Sequence, residues 1–311
     1  MSRPDISLYC HLPWCIEKCP YCDFNSFKKT DQDREDVYTA AICQDIIASA
    51  SEAQGRKLKS IFFGGGTPSL FSVKNIGMVL DVISTHYALG KQCEITLEMN
   101  PSSFETEKMA GFCSLGINRL SIGVQSLHDH LLKKIGRTHN KKQAIAAIKA
   151  ALQQPFQSVN VDLMYALPEQ TLAEAMEDLQ QVIDLGPGHL SWYELTIEAN
   201  TYFAKHHPKL PSDNTQYQIY EQGLETLKSQ GYHRYEISAF SCDNRPSQHN
   251  LNYWNFGDYI GCGNGASSKI TKEDTVIRYQ KYRNPGLYQA EPEKKPEVQA
   301  EQKTEKSEEK K

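Results

Sequence analysis

Short β-rich runs alternate with helical segments along most of this 311-residue chain, and this alternation constrains the fold more than any other feature. The β-rich runs cover residues 6–11, 59–63, 94–98, 119–123, 159–163 and 189–194. Strand–helix alternation of this kind predicts parallel βα units. The segments between the runs carry helical spacing, as in Leu172, Met176, Leu179 and Ile183, and Gly186 predicts the end of that helix.

Six such units predict an α/β fold built as a partial (β/α)6 barrel that resembles a TIM barrel. A complete (β/α)8 barrel typically needs about 250 residues, more than this part of the chain provides. An open, doubly wound sheet is the alternative. In both architectures ligands bind at the C-terminal ends of the strands, and the chemically unusual residues of this chain follow its predicted strands.

Composition divides the chain into three predicted regions. Residues 1–230 form the barrel core, and residues 231–289, rich in aromatics and turn formers, form an irregular α+β extension or cap. Residues 290–311 hold seven Glu and six Lys with no aromatic residue. A segment of that composition cannot bury a core, so we expect a disordered charged tail.

Charge and hydrophobicity exclude several classes of partner. The chain has 34 Lys and Arg against 38 Asp and Glu, so its net charge does not favour binding to nucleic acid. No run approaches the roughly 18 apolar residues of a membrane span, and residues 1–15 lack a basic region followed by an apolar signal core. We therefore expect a cytoplasmic protein without an integral membrane segment, whose nine cysteines are reduced thiols or metal ligands.

Three of those cysteines are clustered. Cys15, Cys19 and Cys22 form a C-x3-C-x2-C run after the first predicted strand. Three thiolates at such spacing suit a [4Fe–4S] cluster and leave one iron without a protein ligand. The alternatives are a zinc site, which needs a fourth ligand and usually a second ligand pair downstream, and unrelated structural cysteines. The spacing favours the iron–sulfur cluster.

The cysteine run and its flanks resemble the radical S-adenosylmethionine (SAM) superfamily, and the resemblance extends over residues 7–288. The stretches 9–15 (YCHLPWC) and 19–25 (CPYCDFN) look like the branch that holds oxygen-independent coproporphyrinogen III oxidases and the HemW haem chaperones. The resemblance implies a partial barrel of the radical SAM type. It also implies that Cys15, Cys19 and Cys22 hold the cluster, with SAM on the fourth iron.

The same resemblance implies a set of SAM contacts. They are Tyr9, Tyr21, Gly65, Gly66, Thr67, Glu98, Gln125, Arg137 and Asp162. Bare glycine backbone after a strand lets a ligand approach closely and find N–H donors. Carboxylates suit ribose hydroxyls or an amino group, and the fork of Arg137 suits the SAM carboxylate. Each polar residue taken alone is more often structural or solvated, whereas the joint match favours a binding role.

Two features bear on whether the chain resembles the oxidases or the haem chaperones. Phe24 stands where the oxidases of this family carry a further cysteine, which disfavours oxidase activity. Residues 249–254 (HNLNYW) resemble the HNxxYW motif associated with haem binding in HemW proteins. The resemblance implies haem contacts from His249, Tyr253 and Trp254, with His249 as the iron ligand. A neutral imidazole is a standard axial ligand and aromatic rings suit a porphyrin face, although such a histidine is more often a packed, hydrogen-bonded side chain.

Three functional hypotheses follow. The first is a haem chaperone that binds a [4Fe–4S] cluster, SAM and haem and delivers haem to an unidentified acceptor protein. The second is a radical SAM oxidative decarboxylase acting on coproporphyrinogen III, in which SAM cleavage yields a 5′-deoxyadenosyl radical. The third is a degenerate family member, because a charged tail follows residues 284–288 where the family usually continues into a small helical domain. The sequence leaves open whether SAM is cleaved.

Overall fold

The computed structural model describes residues 4–242, 245–273 and 275–302. The strands are β1 Ile6–Leu12, β2 Trp14–Cys15, β3 Phe27–Lys28, β4 Leu58–Gly65, β5 Leu89–Met99, β6 Arg119–Gln125, β7 Ser158–Tyr165, β8 His189–Glu194, β9 His233–Arg234, β10 Ala239–Ser241, β11 Asp258–Cys262, β12 Ser267–Lys272, β13 Thr275–Gln280 and β14 Glu297–Gln302. The helices are α1 Glu35–Ser49, α2 Val73–His86, α3 Ser103–Thr106, α4 Met109–Ser114, α5 Asp129–Lys134, α6 Lys141–Leu152, α7 Leu172–Leu185, α8 Tyr202–Lys205, α9 Asp213–Ser229, α10 Gln248–Trp254 and α11 Pro285–Ala290.

Twelve strands form one sheet, and its central part follows the predicted order. Strands β1, β4, β5, β6, β7 and β8 are parallel neighbours in chain order, as expected of successive βα units. The outer neighbour of β1 is β11, and that of β8 is β10. The α/β architecture with six parallel strands is therefore confirmed, with the sheet extended at both ends.

The two faces of the parallel strands differ in chemistry because successive side chains point to opposite sides. One face carries apolar residues such as Leu8, Ile61 and Ile122, which share a buried core with residues of α1, α2, α6 and α7. The other face is polar: Ser60 Oγ donates to Ser7 Oγ (2.8 Å). This polar inner face leads towards the C-terminal ends of the strands.

Helix α7 shows how local sequence sets an element's limits. Thr171 caps its N-terminus and forms a capping box with Glu174. Gly186 ends it in the left-handed region at φ 82°, as its sequence position predicts.

The region predicted as an irregular extension continues the sheet of the core. Strand β11 pairs parallel to β1, and β12 and β13 follow as antiparallel neighbours. A buried ion pair joins Lys281 Nζ to Asp45 Oδ1 (2.6 Å), and Tyr38 Oη donates to Asn264 Oδ1 (2.6 Å). Residues 231–289 therefore share the core of residues 1–230.

The prediction of a disordered tail over residues 290–311 is wrong for residues 290–302. Strand β14 pairs antiparallel to β13 at the edge of the sheet, and Lys281 Nζ donates to Pro292 O (3.1 Å). An edge strand needs only main-chain pairing, so a segment can join a sheet without apolar side chains to bury. Residues 303–311 lie outside the described residues.

None of the helices in the described ranges is both long enough and apolar enough to cross a membrane.

Candidate functional site

The three clustered cysteines lie in a loop that folds back on itself beyond β1. Cys15 ends β2, which pairs with β3 on the far side of the loop. Cys22 N donates to Cys19 O (3.1 Å), so the two thiols leave the chain from one tight turn. All three are free thiols and partly exposed.

Each thiol has a polar neighbour. Thr67 Oγ1 lies 3.6 Å from Cys15 Sγ, Arg137 Nη1 lies 3.6 Å from Cys19 Sγ, and Ser26 Oγ lies 3.5 Å from Cys22 Sγ. Burial raises the pKa of the Cys15 and Cys22 thiols. Metal ligands must be thiolates, which are stabilised by donors placed at sulfur.

The spread of the thiols argues against a single zinc ion. Thiolates on one zinc ion at about 2.3 Å would lie about 3.8 Å apart. Within the described part of the chain, only His128, His130 and Glu174 form a group of potential ligands that all lie within 4.8 Å of one another, and this group includes no cysteine. The three cysteines form no such group, so at least one of their Sγ–Sγ distances exceeds 4.8 Å, which is wider than one zinc ion needs and compatible with a cubane cluster.

A cavity of about 390 Å³ opens beside this loop at the C-terminal ends of the parallel strands. It is lined by eight of the predicted SAM contacts together with two of the cysteines: Tyr21, Gly65, Gly66, Thr67, Glu98, Gln125, Arg137, Asp162, Cys19 and Cys22. Residues from separate parts of the sequence thus meet where the parallel-sheet rule places a ligand.

The same cavity contains residues that the sequence did not single out. Tyr193 lines its wall and donates through Oη to Gln125 Oε1 (2.9 Å). Tyr193 lies near the C-terminal end of β8, within the predicted run 189–194, so its place at a strand end was the signal available.

Arg137 connects the walls of the cavity. Its Nη2 donates to Asn100 Oδ1 (2.5 Å) and to Gly123 O (2.6 Å). Asn100 Nδ2 donates in turn to Thr67 Oγ1 (2.8 Å). The guanidinium is therefore oriented before any ligand binds.

Two carboxyl groups line the cavity, and each is only partly exposed. Burial raises the pKa of Glu98 to about 8, and the neighbouring charge of Asp162 adds to the rise. Burial also raises the pKa of Asp162. Adjacent buried carboxyls repel when both are ionised, so this wall of the cavity favours a ligand that brings positive charge or hydroxyl donors.

The glycine segment at the end of β4 is hydrogen-bonded to the rest of the fold. The N–H groups of Gly65, Gly66 and Thr67 all donate internally. Their acceptors are Glu98 Oε2, Leu12 O and Trp14 O, at 3.2, 2.8 and 2.8 Å, respectively. The expectation of free N–H donors here is therefore wrong. A Cβ on Gly65, at φ 111°, would lie 2.5 Å from the His11 ring, so β1 packing itself requires glycine.

Tyr9 lines a second cavity next to the first. This cavity has a volume of about 450 Å³ and shares Phe24, Gly65 and Glu98 with the first cavity. The walls of this second cavity, here called the aromatic pocket, also include Tyr253, Tyr259 and Arg283. Tyr253 and Tyr259 meet edge to face with ring centres 4.7 Å apart.

His249 lies beneath the aromatic pocket on α10. It is 3% exposed, and its ring stacks on Phe62 with centres 4.8 Å apart. The rings of Tyr253 and Tyr9 lie 5.0 and 6.4 Å away. Trp254, by contrast, is 49% exposed and lines neither cavity.

The hydrogen bonds of His249 define its tautomer. Nδ1 lies 2.8 Å from Ser60 Oγ, whose own hydrogen is directed to Ser7 Oγ. Nδ1 is therefore the donor, and the lone pair is on Nε2. Nε2 is buried and has no hydrogen-bond partner among the described residues.

Comparison with known proteins agrees with this geometry. The family model described as "Radical SAM superfamily" matches residues 9–182. The "Heme chaperone HemW" of Escherichia coli (strain K12) is 46% identical over 286 residues, which cover 92% of this chain and 76% of the relative. That of Haemophilus influenzae is 46% identical over 290 residues, with the same shares covered.

Among solved structures, the coproporphyrinogen III oxidase HemN from Escherichia coli superposes with a TM-score of 0.80 at 24% identity. The match covers 93% of this chain and 69% of that one, and at this identity it shows the fold alone. The chain thus belongs to the radical SAM superfamily and, within it, to the family of the heme chaperone HemW.

Proposed function

We propose that this chain is a haem chaperone that carries haem in the aromatic pocket, beside a [4Fe–4S] cluster and SAM, and passes it to an acceptor protein. The single observation that carries the proposal is the neutral imidazole of His249, whose Nε2 has no partner among the described residues and whose ring lies close to two of the pocket's tyrosine rings. The relatives named HemW support it.

The first cavity is assigned to SAM and the three thiols to the cluster. Bound there, the cluster supplies an iron atom without a protein ligand, and SAM is held beside it. Arg137 supplies positive charge for the SAM carboxylate. Its Nη2 is already bonded to Asn100 and Gly123, so a ligand carboxylate would be met through Nη1. Glu98 and Asp162 lie where a cationic amino group or ribose hydroxyls would be matched.

The aromatic pocket has the chemistry that a porphyrin needs. Phe24, Tyr253 and Tyr259 supply ring surface for an apolar macrocycle. Arg283, exposed at the same pocket, suits the carboxylate of a propionate group. Phe24 is 61% exposed and lines both cavities, so a residue at this position contacts either ligand.

His249 is the proposed iron ligand. Burial, followed by the charge of Arg119, lowers its pKa to about 3, so the ring stays neutral as ligation requires. The donor bond from Nδ1 to Ser60 fixes the tautomer and orients Nε2, as outer-shell partners do for metal-bound histidines. Tyr253 lines the pocket and its ring meets the imidazole edge to face, so it is the pocket residue that would adjust if Nε2 were to hold the iron.

Coproporphyrinogen III decarboxylation receives no comparable support. The HemN likeness carries the fold alone, and Phe24 stands at the position of the oxidases' further cysteine.

The test is haem retention by cluster-loaded protein under anaerobic conditions. Wild type, His249→Ala and His249→Gln are loaded with haem and gel filtered, and Soret absorbance, iron and sulfide are measured per chain. We expect both variants to lose the ligated Soret band while iron and sulfide stay unchanged. His207→Ala changes an exposed histidine and serves as the matched control. An unchanged Soret band in both variants would place the ligand elsewhere, and absence of haem from cluster-loaded wild type would overturn the haem proposal.

Delivery is tested separately with apomyoglobin as the probe acceptor. Haem-loaded wild type is mixed with apomyoglobin, and the rise of the myoglobin Soret band is followed. Transfer faster than the release of haem into buffer supports delivery by contact, and equal rates contradict it.

A further inference from the structure

We propose a second metal site, for a divalent transition metal such as zinc, formed by His128, His130 and Glu174 on the outer rim of the fold. One nitrogen of each histidine and one oxygen of Glu174 lie within 4.8 Å of one another. None of the three lines the SAM cavity or the aromatic pocket. The site is therefore separate from both cavities.

The loop after β6 is built to hold the two histidines against α7. Asp178, on α7, accepts from Ser126 Oγ (2.6 Å) and from Leu127 N (2.7 Å). His128 N donates to Ser126 Oγ (3.0 Å). These bonds fix the backbone at the start of α5. His128 directly precedes the helix, His130 lies in its first turn, and their ring centres are 5.8 Å apart.

Glu174 is held by one oxygen and presents the other. Its Oε2 accepts from Thr171 N and from Thr171 Oγ1, both at 2.8 Å, within the capping box of α7. Its Oε1 lies 3.0 Å from His130 Nε2. The helix cap thus positions the carboxylate and leaves one oxygen facing the histidines.

The negative charge around the two histidines favours binding of a cation. Glu177 Oε2 and Asp178 Oδ1 lie 3.9 and 3.7 Å from His128 Nε2, so three carboxylates surround the two rings. Among the described residues, these three carboxylates form ion pairs within 4 Å only with the two histidines. No Lys or Arg of the described residues pairs with them. His128 Nε2 is also buried without a hydrogen-bond partner there. The ion pair between His130 and Glu174 alone therefore does not account for the buried Nε2 of His128.

Ligand chemistry selects the class of metal. Two imidazole nitrogens with a carboxylate oxygen are a donor set that zinc and its neighbours bind well, whereas calcium and magnesium prefer oxygen ligands. A bound ion would tie the loop after β6 to α7. Gln125, three residues before His128, lines the SAM cavity, so the tie would brace that wall.

The experiment is equilibrium dialysis of cluster-loaded protein against zinc ion, with metal analysis per chain. We expect wild type to hold one zinc ion that His130→Gln and Glu174→Gln lose. The side chain of His130 is 54% exposed, and glutamine serves at the third position of a capping box, so both variants keep the fold. His207→Gln changes an exposed histidine elsewhere and is expected to retain the ion.

X-ray absorption at the zinc edge separates this site from the cysteine loop. Nitrogen and oxygen neighbours at about 2.0–2.1 Å support the proposal, and sulfur neighbours at about 2.3 Å mean that zinc has displaced the cluster. The proposal is overturned by sulfur ligation, by wild type that binds no zinc, or by equal zinc in wild type and both variants. Retained iron and sulfide in every sample show that the cluster is intact.

Discussion

Arg137 Nη1 lies 3.6 Å from Cys19 Sγ, while Nη2 of the same guanidinium donates to the carbonyl of Gly123. One permanently charged side chain therefore spans the gap between the cysteine loop and the parallel strands. It contributes positive charge where thiolates and a ligand carboxylate would meet, and its planar fork is fixed on two sides.

Replacing Arg137 with Lys is expected to weaken SAM binding by about tenfold to a hundredfold, since a hydrogen bond to a charged group contributes about 1.5–3 kcal/mol. Lysine keeps the charge but cannot bond to Asn100, Gly123 and a ligand carboxylate through one planar group. Anaerobic calorimetry of cluster-loaded protein measures the affinity. Lys133→Ala, an exposed change on α5, is the control, and equal affinity in Arg137→Lys and wild type would remove Arg137 from the SAM site.

SAM binding is expected to release a proton from Glu98. Its pKa of about 8 means that the carboxyl is mostly protonated at pH 7 in the ligand-free cavity. A cationic ligand beside it favours the ionised form, so the affinity falls as pH decreases below about 8, by up to about tenfold per pH unit. Calorimetry in buffers of different ionisation enthalpy counts the protons.

Glu98→Gln is expected to abolish this proton release and flatten the pH dependence. Glu107→Gln, an exposed substitution, should leave both unchanged. Proton release that persists in Glu98→Gln would assign it to another group.

The sequence was informative where the signal is local. The C-x3-C-x2-C run, the strand order and the helix stop at Gly186 all depend on residues close together in the chain, and the cavity assembles because parallel strands end on one side. It was uninformative about partners that are distant in the chain. Nothing near Gly65 shows that His11 will occupy the space of a Cβ, and nothing near Asp258 shows that β11 will pair with β1.

Composition also misled for residues 290–302, because a segment can pair with a sheet without burying apolar side chains. A charged segment has little apolar surface to bury, yet β14 needs only the exposed edge of β13, a surface that sequence alone does not reveal. The depth of His249 was hidden for a similar reason: the motif names the residue, but Phe62 and Ser60 on β4 determine its burial.

The buried pair between Lys281 and Asp45 is expected to matter for stability. Both side chains are 0% exposed, and Asp45 also accepts from Tyr288 Oη (2.9 Å). Lys281→Met leaves a buried carboxyl without its cation, and breaking a buried pair this way costs about 3–5 kcal/mol of unfolding free energy. Urea unfolding measures the loss.

The double variant Asp45→Asn with Lys281→Met removes both charges and should recover much of that loss. Lys28→Met breaks an exposed pair with Glu17 and should cost less than about 1 kcal/mol. A Lys281→Met protein as stable as Lys28→Met would mean that the pair is not buried in solution.

Acid should destabilise this fold through its buried neutral histidines, of which His139 is the clearest to isolate. Burial, followed by the charge of Arg137, lowers the pKa of His139 to about 3, and His139 Nε2 lies 3.0 Å from Val124 O. The folded pKa lies below the unfolded value of about 6.5, so the unfolded chain binds the extra proton. The stabilisation is therefore complete above about pH 6.5 and is lost as pH falls towards 3, by up to about 1.4 kcal/mol per pH unit.

His139→Gln keeps a donor for Val124 O but cannot titrate, so the slope of unfolding free energy against pH between pH 4.5 and 6 should decrease by up to that amount. Urea unfolding of cluster-free wild type, His139→Gln and the exposed control His207→Gln measures it, and identical slopes in all three would show that His139 is not buried neutral.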